Sequence, residues 1–373
     1  MNFRKIMPIA MVLITIAVAL AVARANCVED QYSADIDSYM DLQPIVRGDL
    51  GGGYDRLRCR LPLNMLVVGD SIGDGTGSSS SANAWPALVC DYLSSEYGTQ
   101  VEYTNVSMGG CSSLCGYVRV NALDDEKCYD LAVICYGEND SEENFGLYYE
   151  SILRALRAQY PEIDIVCIQE SSQREYTYKM QVIEEIAAHY GCPVVDTIAP
   201  FSNDYDNLVK DGIHPNDDGY KVYASEVENA IDDAVAQGMK TEEVIKPFDD
   251  NVMVFDNFVW IPKENFKRFE NSYAINIIGD IKAVGTLSPV GSEAEPVVVV
   301  DKYDFEGSNR IIVSNNAQKI IDLQYEWPYV FKQRHIPVVS KGCEINEGTI
   351  RVTFDTNEQA DTFEGIGFIL GGL

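Results

Sequence analysis

Histidine is almost missing from this chain. Three occur in 373 residues, His189, His214 and His335, so a histidine-rich metal cluster is excluded and any catalytic imidazole must be one of these. Basic residues are also scarce, with 28 Lys and Arg set against 58 Asp and Glu. A chain this acidic repels phosphate backbones, which excludes nucleic-acid binding through a basic face. None of the ten cysteines forms a C-x-x-C pair, so a zinc ribbon is ruled out. Lysine is absent between Asn64 and Lys127, which removes the P-loop reading of the glycine-rich stretch "LVVGDSIGDGTG" at residues 66–77. The dinucleotide fingerprint fails there as well, because Gly73-Asp74-Gly75 lacks the third glycine at the required offset. Neither cofactor nor metal is expected. The one hint of calcium, "NDYDNLVKDG", places Leu208 where an oxygen ligand is needed.

The first 25 residues have the form of an export signal: Arg4 and Lys5, an apolar run from Ile6 to Ala23, and a small-x-small site at Ala23-Arg24-Ala25. Removing them takes away Arg4, Lys5 and Arg24 and no carboxylate, so the formal charge moves from −30 to −33. The expected location is secreted or extracellular, with membrane attachment only if the segment stays uncleaved. Cys90, Cys135 and Cys167 lie in apolar runs and read as small buried hydrophobes, whereas Cys111 and Cys115 share a loop and are spaced to permit a bridge.

Residues 26–61 read as an irregular lead-in. From 62 to 238, apolar strand-like runs (Met65 to Val68, Leu131 to Tyr136, Ile163 to Ile168, Val194-Val195) alternate with helical stripes, the last ending at Gly238. Strands apolar on both faces and separated by helices predict a three-layer α/β/α parallel sheet. From 245 to 373 the pattern becomes period two, as in Ile350, Val352 and Phe354, and "VMVFDNFVWIP", "YAINIIGDI" and "EPVVVVDKY" add β-rich runs. A smaller all-β, sandwich-like domain is expected there, with Trp260 and Trp327 available either to its core or to a sugar-stacking surface.

Gly69-Asp70-Ser71-Ile72-Gly73 spells G-x-S-x-G, but it follows the first strand, whereas a lipase-type nucleophile elbow comes after a mid-sheet strand with an oxyanion motif already supplied. Taken singly, Ser71 could be a helix cap, Asn139 a turn residue and Asp211-Gly212 a simple turn. In order along the chain, however, Gly69-Asp70-Ser71, "NVSMGGCSS" at 105–113, Gly137-Glu138-Asn139-Asp140 and Asp211-Gly212-Ile213-His214-Pro215 resemble the four signature blocks of the SGNH (GDSL-type) hydrolase superfamily. The resemblance spans residues 62–238 and none of the β-rich part. It implies Ser71 as nucleophile, His214 as base and Asp211 as its orienting acid, with the backbone N–H groups of Ser71 and Gly110 and the amide of Asn139 as the oxyanion hole. It also implies that the parallel sheet is flavodoxin-like and the protein a serine esterase without cofactor. Within that family, which includes esterases, lipases and carbohydrate deacetylases, export, an acidic surface and an attached β domain favour, by analogy, short acyl esters, acetyl above all, on an extracellular polysaccharide. An O-acyltransferase with the same residues and a catalytically idle polysaccharide-binding surface protein are the alternatives. His189, at helical spacing from Val182 and Ile186, is expected to be structural, and His335 falls in the β-rich part.

Overall fold

The computed structural model describes residues 51–123, 127–242 and 246–278, the strand segments 281–287, 297–302, 310–314, 324–325, 337–341 and 347–353, and residues 356–361, 363 and 365–370. The expected signal at 1–25 and His335 and Trp327 lie outside the described residues, as does the side chain of Trp260. Among the described residues no helix is long and apolar enough to cross a membrane.

Strands β1 (Leu63–Gly69), β2 (Val101–Asn105), β3 (Leu131–Cys135), β4 (Asp164–Gln169) and β5 (Val194–Asp196) form one parallel sheet in the order 2-1-3-4-5. That order is flavodoxin-like, and it puts a topological switch between β1 and β3, where open α/β sheets bind ligands outside the carboxyl ends of their strands. The period of two along each strand divides the core. Leu66, Val68, Ala132, Ile134, Ile165 and Cys167 face one layer of helices, whereas Met65, Val67, Val133, Cys135, Val166 and Ile168 face the other.

The chain enters the sheet through helix α1 (Gly53–Arg58), which buries Tyr54 and Leu57. The region read as an irregular lead-in therefore contains a helix. Six residues are too few for a 3.6-residue period to declare itself, and Asp164 in β4, accepting from Tyr54 N–H at 2.9 Å, supplies a tertiary anchor. Next come α2 (Ser71–Asp74), α3 (Trp85–Tyr97), α4 (Ser113–Asn121), α5 (Phe145–Gln159), α6 (Tyr178–His189), α7 (Ile198–Phe201), α8 (Tyr205–Leu208) and α9 (Asp217–Gln237), with Gly238 closing α9 at φ 67°. Helices α1, α3 and α9 cover one face, and α4, α5 and α6 the other. Cys90, Cys135 and Cys167 are buried thiols, and Cys111 and Cys115 are buried too, carrying thiols rather than a bridge.

The β-rich part forms two five-stranded sheets. One runs Arg310–Ser314, Val297–Lys302, Glu347–Thr353, Ser272–Ile278 and Lys267–Phe269; the other runs Gln324–Tyr325, Pro337–Lys341, Ile281–Leu287, Gly365–Leu370 and Phe258–Pro262. Every described pairing in them is antiparallel. The stretch "VMVFDN", read as strand from its composition, is instead part of a 3₁₀ helix, Asp250–Asn257. Asp249 accepts from Asn251 N–H at 2.9 Å, and Phe255 packs edge-on against Tyr117 and Tyr148 while its carbonyl accepts from Tyr117 Oη.

Candidate active site

The end of β1 turns so sharply that no side chain fits at Gly69, where a Cβ would lie 2.7 Å from Cys135 O. Asp70, not Ser71, caps the short helix that follows: its Oδ1 accepts from Ile72 N–H at 2.8 Å. Ser71 is therefore the first helical residue and is 7 % exposed.

The segment before α9 folds back on itself. Val209 bridges Pro215, Lys210 N–H donates to His214 O at 2.8 Å, and Gly212 turns the tip at φ 88°. Asn216 then caps α9, accepting from the N–H groups of Asp218 and Gly219 at 3.0 Å each. This turn delivers His214 to Ser71 across 143 positions of sequence, with Nε2 to Oγ at 2.9 Å. His214 Nδ1 lies 2.7 Å from Asp211 Oδ2, and Asp211 Oδ1 accepts from the N–H of His214 at 2.9 Å. That backbone hydrogen bond, then the one from the imidazole, holds the Asp211 carboxyl down at about 2. Because the folded value lies below the ordinary 3.8, the linked stability is present above about pH 4 and is lost as pH falls toward 2. Asp211 is half exposed, so the gain is small and screened.

Gly77 is where the two loops touch. It adopts φ 105°, and a Cβ there would lie 2.4 Å from Pro215 O and 3.0 Å from His214 Cβ. Gly77→Ala is therefore expected to displace the histidine and lower kcat by about 10- to 100-fold. Steady-state kinetics beside a melting curve would check this, since a fall in stability alone leaves kcat of the folded fraction intact.

Asn139 reaches the site from the loop after β3, and its Nδ2 donates to Asp70 Oδ2 at 2.9 Å. That loop is pinned from below by Lys179, whose ammonium donates to Asp140 O at 2.9 Å and to Gly137 O, and by Asp140, which accepts from Ser113 N–H and Oγ–H. Gly110 lies on the loop after β2 at φ 72°, and that loop is tied to the same strand end by Met108 N–H donating to Gly69 O at 2.8 Å. His189 sits far from all of this, with Nε2 2.9 Å from Lys246 O and its ring against Tyr190 and Phe248.

Two groups under the site carry no motif. Asp70 is only the middle letter of G-D-S, yet its carboxylate links Ser71's helix to Asn139. Glu170, after β4, is fully buried; it accepts from Glu138 N–H at 2.7 Å, lies 3.3 Å from Cys135 Sγ and interacts electrostatically with the Asp70 carboxyl. Burial pushes Asp70 up to about 7, and burial followed by the Asp70 charge pushes Glu170 well above the usual carboxylate range. Burial likewise raises Asp140 and Asp164 to about 6 each. For these acids the folded value exceeds the unfolded one, so the native state binds more protons; their contribution is full below about pH 4 and is lost as pH rises through 6 and 7. Tm is expected to fall between pH 4 and pH 8, and Glu170→Gln, neutral at every pH, should flatten that fall. Calorimetry of the two proteins across the range tests it; parallel curves would contradict the assignment.

The sequence model of the GDSL-like lipase/acylhydrolase family matches residues 67–222, the stretch that carries all four blocks. No curated protein matches the chain. Among solved structures, a two-domain esterase active on acetylated mannans, co-crystallised with mannopentaose, is 17 % identical with a TM-score of 0.62, the match covering 86 % of this chain and 94 % of that one. A second structure of a two-domain esterase active on acetylated mannans is 16 % identical with a TM-score of 0.58, over 86 % and 94 % of the two chains. At that identity the likeness concerns the fold, and it extends over the β-rich part as well as the α/β part. It is residues 67–222 that belong to the GDSL-like lipase/acylhydrolase family, within the SGNH hydrolase superfamily, and the protein is a carboxylic ester hydrolase.

Proposed function

We propose that the protein is a secreted serine esterase that removes short acyl groups, acetyl above all, from an extracellular polysaccharide through an acyl-serine intermediate. The observation that carries the reading is the relay Ser71 Oγ, His214 Nε2, His214 Nδ1, Asp211 Oδ2, with spacings of 2.9 and 2.7 Å, past the carboxyl end of β1 beside the topological switch. His214 takes the hydroxyl proton as Ser71 Oγ bonds to the ester carbonyl carbon. The oxygen of the tetrahedral adduct then gathers negative charge, met by the N–H groups of Ser71 and Gly110 and by the Asn139 amide. An amide nitrogen carries two hydrogens, so donation to Asp70 orients Asn139 without exhausting it as a donor. The adduct collapses, the sugar oxygen leaves with the proton from His214, and water, deprotonated by the same imidazole, releases the acid and restores Ser71.

The polysaccharide part of the reading draws on the two-domain mannan esterase, whose fold the chain shares along most of its length. The division into an α/β domain at 62–238 and a β domain at 245–373 belongs to this reading, with export by the N-terminal segment. Labelling with a fluorophosphonate and mapping the modified residue tests the chemistry: modification is expected at Ser71 and is abolished in Ser71→Ala. Release of acetate from acetylated mannan by the wild type tests the substrate, and label found elsewhere would overturn the site.

A further inference from the structure

The turn carrying Asp211 and His214 is braced on one side by two residues that the chemistry above does not use. Arg174 Nη2 donates to Gly212 O at 3.2 Å, and Tyr205 Oη donates to the same oxygen at 3.1 Å. The guanidinium carbon lies over the Tyr205 ring, 4.2 Å from its centroid. Arg174 takes the left-handed conformation, φ 59° and ψ −15°, which a non-glycine residue holds only where its surroundings impose it.

Beside this pair opens a hollow of about 410 Å³, lined by Arg174, Ser202, Asp204, Tyr205, Asp206 and Asn207. Its size falls in the range of small-molecule sites, about 300–1,000 Å³. The lining says what belongs there. Ile198 is its one aliphatic residue, so a long acyl chain would leave polar groups unpaired. Two carboxylates against one guanidinium repel a phosphate or a uronate. Asn207 Nδ2 already donates to Asp204 Oδ1 at 2.6 Å and Ser202 Oγ to Ala199 O at 2.7 Å, so a ligand meets the remaining guanidinium and amide hydrogens beside the Asp204 and Asp206 oxygens, which suits a neutral ligand bearing many hydroxyls. Because Arg174 covers the Tyr205 face, recognition runs through hydrogen bonds rather than ring stacking.

Resting on the esterase reading, we infer that this hollow holds a neutral sugar unit next to the acylated one. Arg174 and Tyr205 transmit its occupancy to the turn that positions His214. Arg174 is then a positioning residue and the hollow a specificity site. The full-length protein is assayed on p-nitrophenyl acetate, a mono-O-acetyl glucose and a mono-O-acetyl cellobiose acetylated on one ring, so that the second sugar keeps its hydroxyls free. Ser202→Trp, which fills the hollow, is expected to lower kcat/KM for the disaccharide relative to p-nitrophenyl acetate by about tenfold, mainly through KM. Arg174→Ala should lower kcat on all three and raise KM for the disaccharide alone, a split that simple destabilisation does not produce. Ser95→Trp, on the exposed side of α3, is the control and should behave as wild type. If Ser202→Trp does not fold, Asp206→Leu reads the same ratio. An unchanged ratio in a folded variant, with wild type active on p-nitrophenyl acetate, overturns the sugar site and leaves the esterase standing. Wild type inactive on every ester overturns both.

Discussion

His214→Ala is expected to lower kcat on p-nitrophenyl acetate by roughly 10⁵- to 10⁶-fold, about the loss seen when a serine hydrolase is stripped of its base. A serine hydroxyl is a weak nucleophile until its proton is taken. His214 Nε2, 2.9 Å from Ser71 Oγ, is positioned to take it. Of the other two histidines, His189 is engaged with Lys246 O on the far side of the domain, and His335 falls in the β-rich part. Ser71→Ala should lose a similar amount, and the double variant should be no worse than either single one, because the two groups act on one proton. Asp211→Ala is expected to cost less, about 10⁴-fold, since it orients the ring and stabilises the imidazolium without exchanging a proton with substrate. Kinetics on the four proteins, with melting curves to show each is folded, would decide the matter. A His214→Ala protein within tenfold of wild type would mean the relay is not the engine.

Much of this site is legible in the chain because its functional letters sit at strand ends. Apolar runs at 65–68 and 131–136, and at 163–168 with only Asp164 interrupting, read as strands buried on both faces, and the residue types following two of them, serine and asparagine, suit acyl transfer. The supporting groups are hidden for a physical reason. Asp70 meets Asn139 across 69 positions, and Arg174 meets Gly212 across 38; neither pairing leaves a spacing in the sequence. Glu170 gives no hint either, since an acid after a strand usually lies in solvent, and only the sheet order, β4 beside β3, buries it against Cys135 and Asp70. Helix α1 and the 3₁₀ segment at 250–257 fail for the opposite reason. They are short and held by distant partners, Asp164 in one case and Tyr117 in the other, so local composition misleads.

Asn139→Ala should lower kcat by about 10²- to 10³-fold, with KM changed little, which is the signature of a donor that matters only once the oxyanion has formed. Asp70 decides how the Asn139 amide is held. Its buried carboxyl accepts from Ile72 N–H with one oxygen and from Asn139 with the other, so it fixes the nucleophile's helix and the amide in one frame. Removing the Asn139 side chain takes away a donor and leaves the buried Asp70 Oδ2 without that partner, and an unpaired buried carboxyl is costly. Asn139→Asp should do worse still, because it sets a second acid against Asp70 and presents negative charge to a developing oxyanion. Asp70→Asn separates the two roles. Its one amide oxygen can accept from Ile72 N–H or from Asn139 but not from both, so the helix cap survives only with the new NH2 set against the Asn139 amide, which upsets that amide's orientation while leaving its own hydrogens in place. A loss in Asp70→Asn much smaller than in Asn139→Ala would assign the larger share of barrier lowering to the amide's own donation. Equal losses would assign it to the orientation that the buried acid imposes.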